Sequence, residues 1–150
     1  MAYLKYYEKE RADFPEEFGT FLDIKTANKI IKKLIGHFRI KTHKTWRFGG
    51  GKSSHCVTWK NTGQGHFKFS KTNTSIGVIC HELAHAIEMG KRKASTHATR
   101  HYNIMKRLIM YCRKKGFVEK EITIVANGTP RVGMSTMGIH MAYLILKDDI

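Results

Sequence analysis

Three things are scarce in this 150-residue chain, and the first is cysteine. Cys56, Cys80 and Cys112 form no C-x-x-C pair, as expected of a protein kept in a reducing cytosol. The second scarcity is long apolar sequence. No run approaches the ~18–20 residues that a membrane-spanning helix needs, and the opening MAYLKYYEKERADF lacks the apolar core of a signal peptide. These absences predict a cytoplasmic protein, at the nucleoid or nucleus if it binds DNA, neither membrane-bound nor secreted.

The third scarcity is acid, and it is local. Twelve Asp and Glu face 27 Lys and Arg, a net charge of +15. Between Ile24 and His81 there is no acid, and from Met89 to Val118 there is again none. Half of the acids lie before Ile24. Such a long basic bias favours a polyanionic partner, most simply nucleic acid held through its phosphates. Lys91, Arg92 and Lys93 are the candidate contacts. A solvated basic surface that aids solubility is the plainer alternative.

The 41% hydrophobic content suits one domain over residues 1–150, with its core near 26–116. A chain this long buries roughly two-thirds of its unfolded surface and needs no disulfide to do so. In TANKIIKKLIGHF, apolar residues recur at helical spacing, so a helix starts near Thr26. RIKTHKTWRFG and SSHCVTWK read as strands joined by the turn Gly49-Gly50-Gly51. GHFKFS, residues 65–70, reads as a third strand. Ser75 caps a helix ending at Gly90. Ser95 caps another that buries Tyr102, Met105, Leu108, Ile109 and Cys112 and stops at Gly116. EITIV and MAYLIL close the chain as a strand and an apolar segment. The order predicts an α+β fold.

The chemistry is concentrated in CHELAHAIEMG, residues 80–90. Four residues of helix advance about 400°, so His81 and His85 emerge on one face, one turn apart. Both imidazoles can then reach one zinc ion, with Glu82 placed to handle a water proton. This composition yields an H-E-x-x-H by chance roughly 0.03 times, so coincidence is disfavoured. A third ligand is required. Glu88 and Lys91 stand where a metzincin needs Gly and His, and Glu119 and Glu121 follow the Gly116 break. His97 and His101, in STHATRHYNIMKRL, remain.

GGGKS at 49–53 is no phosphate loop, because Trp46 stands where the earlier glycine is needed. Glu88 reads as an exposed helical residue, although it could orient a ligand through a hydrogen bond. Cys80 reads as core, and His37, His43, His55, His66 and His140 lack ligand spacing. Trp46, Phe48 and Trp59 fit either base stacking or strand packing.

Residues 26–112 resemble the SprT-like (Spartan-related) zinc metallopeptidases. The resemblance lies in the HELAH helix, the GHFKFSK strand before it, and a later histidine opening a helix with apolar positions Ile104, Met105 and Leu108. It puts His97 in the third ligand place and His101 in the place of an aromatic. Ala98 departs from the family's usual glycine, and His101 stays open as the alternative ligand. The resemblance implies a zincin-like fold: an N-terminal helix, a small three-stranded sheet, the HExxH helix and a second ligand-bearing helix. It also implies a minimal catalytic domain without the family's C-terminal zinc ribbon. The expected activity is zinc-dependent endopeptidase cleavage of DNA-associated or DNA-crosslinked protein, with Glu82 as general base. A substrate strand would add at Gly65–Ser70. The rival expectation is a nucleic-acid-binding protein with a closed, structural zinc site.

Overall fold

The computed structural model describes residues 2–92, 97–117, 125–126 and 129–130. Among these residues the fold is α+β, with five helices and a three-stranded sheet. Helices α1 (Ala2–Asp13) and α2 (Pro15–Gly19) precede the long amphipathic α3 (Ile24–His37). Asp23 caps α3 by accepting the Thr26 N–H at 2.8 Å, so the helix begins earlier than its apolar spacing predicts. Its buried face is Ala27, Ile30, Ile31 and Leu34, and its exposed lysines include Lys32 and Lys33. The core also takes in Phe14, Phe18 and Leu22, ahead of residue 26.

Strands β1 (His43–Gly49), β2 (His55–Thr58) and β3 (Gly65–Ser70) form the sheet in the order β1-β3-β2. The glycine run Gly49–Gly51 therefore does not join neighbouring strands. β3 runs parallel to β1 and antiparallel to β2, and the β2–β3 turn is closed by Trp59 N–H to Gln64 O at 2.8 Å. The loop between β1 and β2 is tied down by β3. Lys68 Nζ donates to Gly50 O at 2.9 Å, and Ser70 Oγ donates to Gly51 O at 2.7 Å. Gly65 must be glycine, because a Cβ there would strike the Val57 carbonyl and the His43 ring. The central strand buries Phe67 and Phe69, two residues apart on one face.

Those rings pack in one core with Ile79 and Leu83 of α4 (Ile76–Arg92). Ser75 caps α4, its Oγ accepting the Val78 N–H at 3.1 Å, and the helix continues past Gly90 to Arg92. Helix α5 (Thr99–Lys115) folds back across it, burying Tyr102, Met105, Leu108, Ile109 and Cys112. It ends at Gly116, whose φ of 77° supplies the left-handed turn a C-cap needs. Ser95 lies outside the described residues, and Ala98 holds the N-cap position of α5. Short strands β4 (Val125–Ala126) and β5 (Thr129–Pro130) pair antiparallel. The rest of EITIV, the MAYLIL segment, Glu119 and Glu121 lie outside the described residues. No helix among the described residues is long and apolar enough to cross a membrane.

The two N-terminal helices are clamped onto α5. Tyr102 donates its hydroxyl to Asp13 at the end of α1. Arg113 makes a two-pronged bond to the buried Glu17 of α2, at 2.6 and 3.0 Å. This clamping brings α1 over the histidine-bearing turn of α4.

Candidate metal centre

Helix α4 is apolar on nearly every side. Ile79, Cys80, Leu83, Ala84 and Ala86 are all buried, so His81 and Glu82 are carried inward with them. His85 follows one turn on, half-buried. The fold-back of α5 then delivers His97, which sits two residues before that helix, to the same point. His97 Nε2 lies 3.2 Å from His81 Nε2 and 3.2 Å from His85 Nε2. Ligands of a tetrahedral ion at about 2.0–2.1 Å are separated by about 3.3 Å, so these two separations, with all three ligand atoms within 4.8 Å of one another, suit one zinc ion.

The protonation of the cluster agrees with that use. Burial, and then the neighbouring ring charges, push His85 down to about 2 and hold His97 below its ordinary value. Both therefore stay neutral near pH 7, the form that ligates metal. His81 Nδ1 faces the buried Glu10 carboxylate, 3.0 Å from each oxygen. A carboxylate only accepts, so Nδ1 carries the hydrogen and the Nε2 lone pair is left facing the other two histidines.

His101 supports this set from behind. Its Nε2–H donates to the His81 backbone carbonyl at 2.9 Å, and its ring stacks on His85 with centroids 4.0 Å apart. Burial lowers it to about 4, which keeps it a neutral packing ring. Glu10, His81 and His101 form a second potential metal group. All three are buried, and His81 Nδ1 already donates its hydrogen there, so we read this group as the scaffold of the first.

Glu82 stands beside the triad without belonging to it. Burial, and then the charge of Glu10, raise it to about 8, while a hydrogen bond to the Cys56 backbone opposes the shift. A carboxylate tuned into this range accepts and returns protons near neutral pH. The triad and Glu82 open onto a cavity of about 350 Å³, also lined by Tyr7, Ser54, His55, Cys56, Thr58 and Met89. No cysteine joins either potential metal group among the described residues. Cys56 lines the cavity, and burial pushes it up to about 12, so it stays a protonated thiol.

Two expectations change, and one open choice is narrowed. Gly65–Ser70 is the central strand, paired on both sides, so no substrate strand can add to it. Among the described strands the edge facing the cavity is β2. Glu88 is buried, 5% exposed, instead of solvated. The aromatic candidates divide: Trp46 and Phe48 pack against the core, with Trp46 Nε1 donating to Asn28 at 2.6 Å, while Trp59 is half exposed. Of the basic candidates, Lys91 is exposed at the end of α4, Arg92 closes that helix, and Lys93 lies outside the described residues. A cation in a last turn also complements the helix dipole, whatever else it binds.

Sequence reasoning missed Glu10 and Tyr7, which α1 supplies from 71 and 90 residues away. Their spacing, Tyr7-x-x-Glu10, puts both on one helical face and was the available signal. Comparison of the chain with protein-family models, curated proteins and solved structures gives no match in any of the three.

Glu10 provides a first test. Glu10→Ala removes the acceptor that fixes the His81 tautomer, and its affinity for zinc falls about 10–100-fold. Competition titration against a chromophoric chelator measures this. An unchanged affinity would mean that His81 is oriented without the carboxylate.

Proposed function

We propose that this protein is a zinc-dependent endopeptidase with a zincin-like, SprT-like catalytic domain, acting on proteins associated with or crosslinked to DNA. One observation carries the reading: three imidazoles converge at ligand spacing, with Glu82 beside them, on the wall of an open cavity. A structural zinc site closes its fourth position with protein, whereas a catalytic one leaves it open. No fourth His, Cys, Asp or Glu joins the triad among the described residues.

Bound zinc would supply a Lewis acid that polarises a carbonyl and acidifies water. The chain does the rest. Glu82 accepts a proton from the attacking water and passes it to the departing amine. The outer edge of β2, His55–Thr58, offers the backbone groups that Glu82 does not already hold at Cys56 to an extended substrate segment. The acid-free stretches support the DNA partner, and Lys91 and Arg92 lie at the end of the metal-bearing helix.

The test incubates the zinc-loaded protein with DNA and an unfolded basic protein. Fragments form, chelation stops their formation, and zinc restores it. Lys91→Glu with Arg92→Glu weakens DNA binding, which itself falls steeply with salt, and leaves zinc in place. Intact substrate under every condition, with zinc bound, overturns the peptidase reading in favour of a zinc-bearing DNA binder.

A further inference from the structure

Tyr7 is on the same face of α1 as Glu10, one turn earlier. Its phenolic oxygen lies 3.0 Å from His97 Nε2, the nitrogen that completes the triad. Its ring stacks on His81, centroids 5.4 Å apart and planes inclined by 27°, and tilts against His97 at 4.9 Å. A hydroxyl so placed borders the position the triad leaves open.

Tyr7 also borders two cavities. One is the 350 Å³ cavity beside β2. The other, about 190 Å³, is lined by Arg11, Lys52, Ser54 and Glu82 among others. Ser54, His81 and Glu82 line both as well, so these four residues stand between the two cavities. A chain crossing from one cavity to the other would present its peptide carbonyl between Glu82 and the Tyr7 hydroxyl.

A phenol in this place could ligate the metal or donate a hydrogen bond. Catalytic zinc sites keep three protein ligands and reserve the fourth position for water or substrate, and three histidines already meet that number. Donation is the role left. The tethers of α1, Tyr102 to Asp13 and His81 to Glu10, hold the hydroxyl in place before substrate arrives, as stabilisation of a developing charge requires.

We propose that Tyr7 is a catalytic residue whose hydroxyl donates a hydrogen bond to the substrate carbonyl oxygen as that oxygen becomes an oxyanion. The proposal rests on the peptidase reading above. In the step itself, the oxygen of water bonds to the carbonyl carbon and the C=O π pair moves onto the carbonyl oxygen. On collapse that pair re-forms the C=O bond, the C–N bond breaks, and the amine takes the proton held by Glu82. Tyr7 keeps its own proton throughout. Helix α1 is thereby part of the active site, and not only a cover over it.

Tyr7→Phe tests this, since it keeps the ring and its stacking on His81 and removes one oxygen. The expected result is a kcat lowered about 10²–10³-fold with KM changed less than about threefold. Zinc affinity, and the visible absorption spectrum of the cobalt-substituted protein, stay as in the wild type. A phosphinic peptide that imitates the tetrahedral geometry binds the variant more weakly by a similar factor. An altered cobalt spectrum or lost metal would make Tyr7 a ligand and overturn the proposal. So would a kcat equal to that of the wild type. A wild type that cleaves nothing is a different failure: it removes the peptidase reading, and this role goes with it.

Discussion

Glu82→Gln keeps its zinc, its fold and its affinity for DNA, and loses proteolysis by about 10²–10⁴-fold. Glutamine has the same shape and still fills the buried place beside Cys56, but an amide cannot accept the water's proton. Because Glu82 stands outside the three-histidine group, the metal does not depend on it. The substitution also has a signature in the metal-free protein. Glu82 is raised from 4.5 to about 8, so between those values the native state binds a proton that the unfolded chain has released. Stability from this group is therefore lost as pH rises through about 8, and E82Q gains thermal stability over wild type most clearly above that pH. Fragment formation by purified E82Q at the wild-type rate would sink the general-base role, with zinc present or not.

The half of the site that the sequence made legible is the half built by local geometry. His81 and His85 share one face because helical periodicity requires it, with Glu82 about 100° round from His81, and no tertiary information is needed to see that. His97 needed one more step, from the place the resemblance gave it to the fold-back of α5 on α4 that delivers it. That step was readable because Tyr102, Met105, Leu108, Ile109 and Cys112 mark a buried stripe and Gly116 an end. His101 was harder. Its distance along the chain suits a ligand as well as His97 does. Only the hydrogen bond to the His81 carbonyl and the stack on His85 identify it as support.

Glu10 and Tyr7 were hidden for a physical reason. The apolar residues of α1 do not gather on one face, so the helix announces no packing partner. Much of what docks α1 is polar and long-range: the Glu10–His81 and Tyr102–Asp13 pairs, formed across 71 and 89 residues. Glu88 was misread for the related reason that a charged residue late in a helix is ordinarily exposed. The sheet shows the same limit. Alternation in HKTWRFG and GHFKFS marks strands, but pairing order is a long-range choice. β3 enters between β1 and β2 and ties their glycine-rich connection through Lys68 and Ser70. That insertion moves any strand-like substrate contact from β3 to the edge of β2.

His97→Ala loses tight zinc, and His101→Ala keeps it. Two imidazoles rarely retain zinc in water. Sharing about 10–16 kcal/mol of structural zinc binding among four ligands gives each a factor on the order of 10²–10³. His97 contributes a nitrogen 3.2 Å from each of the other two, whereas His101 has committed its Nε2–H to the His81 carbonyl. Acid should act in the same direction as the deletion. In the metal-free protein His85 is depressed to about 2 and His101 to about 4, and His97 is also lowered. Below about 6.5 the unfolded chain gains protons that the native cluster refuses. Stability of the metal-free protein therefore falls as pH drops from about 6.5, and levels off only beneath the folded values. Zinc competes with the same protons, so its affinity weakens over the same range, and bound zinc shields the fold until the metal is released. Metal analysis of dialysed wild type, H97A and H101A, followed by thermal melts from pH 7.5 to 4.5 with and without zinc, measures both effects. Zinc retained by H97A and lost by H101A would exchange the two histidines' roles. A metal-free melting temperature that does not fall below pH 6.5 would show that the cluster is not held neutral by burial.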